Sequence, residues 1–200
     1  MHLLIIFAIF IGQALHSTVV TLDSIETMSK NSELIVHAGV AKTETRYDES
    51  GRIITLITLE ILDDLKGAQH KRHITVYQVG GELDGKVFHV AGAHRYQLGE
   101  EIFLFGLPLP QDDKIVSYGV GVGKFNVKKD STGERIVEEL HDLTIATLQQ
   151  NRLHFTEPSP RVFTSVKQFK DRIVAALKPH SPHHSLLIKP VSEDLMWHAR

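Results

Sequence analysis

The sequence predicts a mainly β protein, a barrel or a sandwich, and three observations carry that expectation. Between Ile74 and Val127, short apolar or aromatic runs are separated by glycine-rich or acidic turns, the pattern of antiparallel strands joined by tight links. Upstream, Glu33 to Thr45 and Arg52 to Leu62 read as two long strands around the polar turn Asp48-Glu49-Ser50-Gly51. The chain is 42% hydrophobic, enough for a real core and too much for wholesale disorder.

Composition narrows the chemistry. Two hundred residues fit one domain with appendages. The formal net charge of −2 advertises neither a nucleic-acid surface nor a polybasic membrane patch. The chain has no cysteine, which excludes disulfides, thiolate catalysis and cysteine-ligated metal centres.

The N-terminus predicts export. Leu3 to Ile11 is an uninterrupted apolar run, followed by polar Gln13, His16 and Ser17. It is shorter than the roughly 20 residues that span a bilayer and has the length of a signal-peptide hydrophobic region. Small residues at Gly12, Ala14 and Ser17 place cleavage near Ala14 to Ser17. The expected organisation is a signal peptide over 1–17, a barrel domain over 18–155, and a C-terminal helix and tail over 156–200. The expected destination is periplasmic or extracellular.

A short helix opens the mature chain. Thr21 can cap it, Asp23 or Ser24 can meet its early free amides, and Leu22, Ile25 and Met28 form a narrow apolar stripe. Such a helix suits the plugging of one end of a barrel. In the second strand both faces carry apolar residues near its start, as expected of a strand covered twice or bent into a closed barrel. His73 to Val79 is the third strand and Gly80-Gly81 ends it. Lys86 to Ala91 is expected as the fourth and Glu100 to Leu107 as the fifth, stopped by Pro108 and Pro110. Ile115 to Val127 supplies one or two more. Arg135 to Gln150 fits either a helix or a strand–turn–strand pair. Pro158 and Pro160 mark a linker. Ser165 caps a final helix to about Leu177, with Val166, Phe169, Ile173, Ala176 and Leu177 on its apolar face, and Pro179 ends it.

Motifs with chemistry are scarce. Gly119, Gly121 and Gly123 in YGVGVGKF lack both the GxxxxGKS/T spacing and the GxGxxG arrangement before a helix. Glycines two apart fall on one strand face and leave it bare for a close neighbour. His180, His183 and His184 cluster in a proline-broken tail whose spacing matches neither HExxH nor a zinc finger, so weak metal affinity is expected and no dedicated site. No cofactor is expected. Glu100 and Glu101 cannot form a side-by-side acid pair, because successive strand side chains point oppositely. The candidate binding residues are Tyr77, Glu82, Asp84, His89, His94 and Tyr96. The tyrosines are the aromatics best suited to exposure, the acids follow the Gly80-Gly81 strand end, and the histidines flank the turn at Gly92. Basic residues Lys66, Lys71, Arg72, Lys86 and Arg95 are interrupted by Glu82, Asp84, Glu100 and Glu101. Phe103 and Phe105 share a face of an apolar strand and read as core, so no specific single-strand nucleic-acid binding is expected.

The segments SELIVHAGV, TLEILDDLKG, VYQVGG, AGAHRYQLGEEIFLF and GVGVGKFNV, in that order over about residues 20 to 130, resemble a group of uncharacterised exported bacterial proteins. That group is similar to the oligonucleotide/oligosaccharide-binding barrel, most nearly the netrin-like domain of metalloproteinase inhibitors. The resemblance implies a five-stranded Greek-key barrel with short N-terminal and C-terminal helices. The inhibitors engage a catalytic zinc through an N-terminal cysteine, which this chain lacks, so that mechanism does not carry over. The resulting expectation is an exported, non-catalytic binding or inhibitory module acting on a protein or a surface glycan. The alternatives are a hydrolytic enzyme with a site that only folding assembles, and a structural cell-envelope protein.

Overall fold

The computed structural model describes residues 23–110, 112–139, 145–149, 152–156, 161–163 and 165–178. Residues 1–17, expected from sequence as a signal peptide, the capping candidate Thr21 and the cluster His180, His183 and His184 lie outside the described residues.

The chain runs α1 (Ile25–Asn31), β1 (Leu34–Tyr47), β2 (Ile53–Lys66), β3 (His73–Val79), β4 (Gly81–Leu83), β5 (Lys86–Phe88), β6 (Glu101–Pro108), β7 (Ile115–Ser117) and β8 (Lys124–Lys129). It continues through β9 (Arg135–Glu139), β10 (Ile145–Gln149), β11 (Arg152–Thr156), β12 (Arg161–Phe163) and α2 (Val166–Leu177). Five strands close a ring: β1 pairs with β2, β2 with β3, β3 with β7, β7 with β6, and β6 returns to β1. Every pairing is antiparallel except β3–β7. Counted along the ring, the barrel strands come first-second-third-fifth-fourth, the Greek-key order of the oligonucleotide/oligosaccharide-binding barrel.

The expected fourth strand is a correction. Lys86 to Phe88 is not in the ring; it forms a separate hairpin with Gly81 to Leu83. The cause is local. Leu83 pairs with Lys86 across Asp84-Gly85, and both central residues have positive φ (51° and 72°), the two-residue turn that Asp-Gly favours. Glu101–Pro108 therefore becomes the fourth barrel strand and Ile115–Ser117 the fifth.

Two cores explain why β1 and β6 are apolar on both faces. Inside the ring lie Leu34, Val36, Ala38 and Val40 of β1, Ile57 and Leu59 of β2, Ile74 and Val76 of β3, and Ile102 and Leu104 of β6. The alternate residues Ile35, Phe103 and Phe105 face outward into a second core with Phe125, Val137, Ile25, Met28, Phe169 and Ile173. That layer exists because α1 and α2 lie over the outer face of β1–β6–β8–β9. The N-terminal helix covers this face together with α2, joined to it by the ion pair Arg172 to Glu26 at 2.8 Å.

Both helices begin as their sequences direct. Ser24 Oγ accepts from the Thr27 amide at 3.1 Å, and Ser165 Oγ from the Gln168 amide at 3.2 Å. The C-terminal carbonyls of α1 are met by Lys66, whose Nζ donates to Ser29 O at 3.0 Å, to Lys30 O at 3.1 Å and to Ser32 O.

β7 and β8 lie on the same edge of β6, interrupted by the turn Tyr118 to Gly123. Phe105 pairs through the interruption: its amide donates to Gly123 O at 2.8 Å and its carbonyl accepts from the Tyr118 amide at 2.9 Å. The glycine triplet thus lies in a turn inserted into an edge, not along one strand face. The close approach it was expected to permit is real at Gly121, where a β-carbon would stand 1.7 Å from Gly92 O.

Candidate apolar cleft at the barrel seam

The weakest seam of the ring is where β3 meets β7. On one side β3 pairs with β2 over its whole length, from Glu60↔His73 to Ile54↔Val79. On the other side its register with β7 is the single pair Val76↔Ile115. Beyond that pair lies a cleft of about 630 Å³, within the size range of small-ligand sites. Its walls are mainly apolar: Val76 and Val79 from β3, Val116 from β7, Val90 and Ala93 from the segment before β6, and Leu109 and Pro110 from the β6–β7 loop. Val120 stands at its edge with Arg52, Tyr77, Gln78 and Ser117.

Val120 is unusual. Its φ is +64°, a left-handed conformation that a β-branched side chain tolerates poorly, yet the residue is 55% exposed. Strain of this kind costs about 1–3 kcal/mol and persists where surrounding structure imposes it. Here the turn is closed by the Gly123 amide donating to Tyr118 O at 3.0 Å and by the contact of Gly121 with Gly92.

The turn between β1 and β2 frames one end. Asp48 Oδ1 accepts from the amides of Ser50 (3.0 Å) and Arg52 (2.9 Å), and Oδ2 from Arg52 Nε at 2.9 Å and from the Tyr77 hydroxyl at 3.3 Å. The Arg52 amide, with the Ser50 hydroxyl and the Arg52 guanidinium, holds the Asp48 carboxyl well below its ordinary range. Tyr77, expected as an exposed contact, is instead half-buried and tied to this turn.

A second, more polar cleft of about 360 Å³ adjoins the first and shares Gln78, Val79, Val90 and Ala93 with it. Of the sequence candidates it brings together Glu82, His89, His94 and Tyr96. Asp84 lines neither cleft and sits in the β4–β5 turn. The hydroxyl of Thr55, one of its lining residues, donates to Gly80 O at 2.7 Å and lies 3.3 Å from Thr45 Oγ1. Its proton is committed to the backbone, which is structural use rather than the poise of a nucleophile.

Tyr96 is a correction to the expected exposure. It packs on the barrel interior, and burial pushes its phenol well above the ordinary value; the nearby Ser117 hydroxyl opposes this and Glu100 adds to it. Its ring lies 4.9 Å beneath Lys124 Nζ. Lys124 is 2% exposed and donates to Glu100 Oε1 at 2.7 Å and Arg95 O at 2.9 Å, so it clamps the segment from Arg95 to Glu100 over the barrel. Burial lowers the Lys124 pKa, and the bond to Glu100 opposes that.

Sequence reading missed Arg52, Pro110, Val116 and Val120 as site residues. The one local signal was valine set among glycines at Val120. The others become neighbours only when β3 and β7 meet. No protein-family model matches the chain, and no curated protein matches it.

Proposed function

We propose that this protein is an exported, non-catalytic binding module that takes an apolar, extended segment of a protein partner into the β3–β7 cleft. The observation that carries the reading is Val120, a strained and exposed apolar residue held at the rim of an apolar cleft. Strain retained at an exposed position points to a task there, and an apolar rim suits apolar ligands. The ring order is that of an oligonucleotide/oligosaccharide-binding barrel, the fold that the resemblance to netrin-like domains requires, and the module would act without the cysteine-to-zinc contact of the inhibitors. The apolar Leu3–Ile11 run supports passage out of the cytosol.

The test uses the full chain lacking residues 1–17, panned against a displayed random-peptide library and, in parallel, a glycan array. The expected result is enrichment of peptides with alternating apolar side chains, weakened at least about tenfold by Val120→Asp. Aspartate tolerates left-handed φ, so that variant keeps the turn and alters only the rim. Glycan binding without peptide enrichment, or peptide binding indifferent to Val120→Asp, overturns the proposal.

A further inference from the structure

Away from the cleft, one ionisable side chain lies inside the seam between α2 and the barrel. His37, on the outer face of β1, is 3% exposed. Its ring stacks flat on Phe103, centroids 4.6 Å apart at 13°. Phe169 of α2 meets Phe103 edge-on at 4.8 Å and also contacts Phe125 at 5.1 Å. His37 Nε2 lies 2.6 Å from Glu101 Oε1 on β6. Arg135 of β9 bonds the same carboxylate oxygen and comes within 3.4 Å of the same ring nitrogen. Lys170 of α2 pairs with Asp63 of β2 at 2.8 Å and lies 6.0 Å from the Phe103 ring centre. The charged groups facing this imidazole are therefore Glu101, Arg135, Asp63 and Lys170.

We infer that His37 is an acid-sensitive latch: its neutral imidazole holds α2 on the barrel, and its protonation releases the helix and uncovers the aromatic face of β6 and β8. The Glu101 carboxylate only accepts, so the 2.6 Å contact places the one N–H of the neutral ring on Nε2, donating to Glu101. A second proton would place a charge among aromatic rings and beside two cations, with Glu101 already shared with Arg135. Burial first, then Lys170 and Arg135, lower the His37 pKa from 6.5 to about 4, against the opposing pull of Asp63. The sign follows. A depressed histidine favours the docked state above the free value of about 6.5, and the advantage is lost as pH falls toward 4. Between pH 8 and 4.5 the ratio of undocked to docked helix rises roughly 10²-fold.

Hydrogen exchange of the full chain lacking residues 1–17 tests this at pH 7.5 and 4.5, with rates corrected for intrinsic pH dependence. The expected result is a fall of roughly 10²-fold in protection of the Phe169, Ile173 and Ala176 amides while β3 amides stay protected. In His37→Phe, which keeps the stack and cannot titrate, the α2 amides should change by less than about threefold. Equal falls in both proteins, or a fall of α2 and β3 together, overturn the latch. NMR titration of the wild-type imidazole is a second measurement that stands if His37→Phe does not fold. Proton uptake coincident with lost α2 protection supports the latch, and uptake with α2 still protected overturns it.

Discussion

Gly121 lies against Gly92 with no space for a side chain between them: a β-carbon on Gly121 would meet Gly92 O at 1.7 Å and Gly92 C at 2.9 Å. The obstructing atoms are backbone, so no rotamer change relieves the overlap. This contact ties the Tyr118–Gly123 turn to the segment that carries Val90 and Ala93, and so joins two walls of the cleft.

Gly121→Ala should therefore cost about 1–3 kcal/mol or more, because the two backbone segments must separate. Urea unfolding of the variant against wild type measures it. An unchanged midpoint would show that the turn and the Gly92 segment do not pack this closely.

Val120 has the opposite expectation. Val120→Gly removes the left-handed penalty and should raise stability by about 1 kcal/mol, shifting the urea midpoint upward. The same change strips the apolar rim and should weaken binding of the peptides enriched by wild type. A variant both less stable and equally able to bind would contradict the reading of Val120 as strain kept for contact.

The Lys124–Glu100 pair is buried on the lysine side, 2% exposed against 18% for the carboxylate. Glu100→Gln leaves the ammonium without its charge partner and should cost on the order of 3 kcal/mol, more than a surface pair would. A thermal scan of the variant should show a clearly lower midpoint; a shift of less than a degree would mean that the lysine finds water or another acceptor.

Lys66 meets three carbonyls at the end of α1. Lys66→Met keeps much of the apolar stem and leaves those acceptors without their charged donor, so a loss of about 1.5–3 kcal/mol is expected. Faster hydrogen exchange confined to α1 is the accompanying signature, and global unfolding without that local loss would argue against a capping role.

Export has its own measurement. Intact mass of protein recovered from its native cell should show the loss of about 14 to 17 N-terminal residues. Recovery of the chain with Met1 in place, soluble in the cytosol, would refute it.

The sequence by itself determined the class and most of the elements. Apolar, β-branched-rich runs over Glu33–Thr45 and Arg52–Leu62, parted by the polar Asp48–Gly51 turn, are a strand signal that needs no tertiary knowledge. Ser165 capping a stripe of Phe169, Ile173 and Ala176 is equally local, and Phe103 and Phe105, two residues apart on one strand face, read as core from sequence alone. Only the tertiary structure decided which strands close the ring. Lys86–Phe88 is as apolar as a barrel strand, but Asp84-Gly85 turns it back on β4 and leaves Val87 71% exposed. The same holds for the sites. The cleft arises from the parting of β3 and β7 after one shared pair, and the setting of His37 from Glu101, Arg135 and Lys170, which lie 64, 98 and 133 residues away in sequence. Periodicity reports the environment of a residue within its own strand or helix. Which distant side chain comes to face it is set by long-range strand pairing and helix docking, and no window of local sequence contains that information.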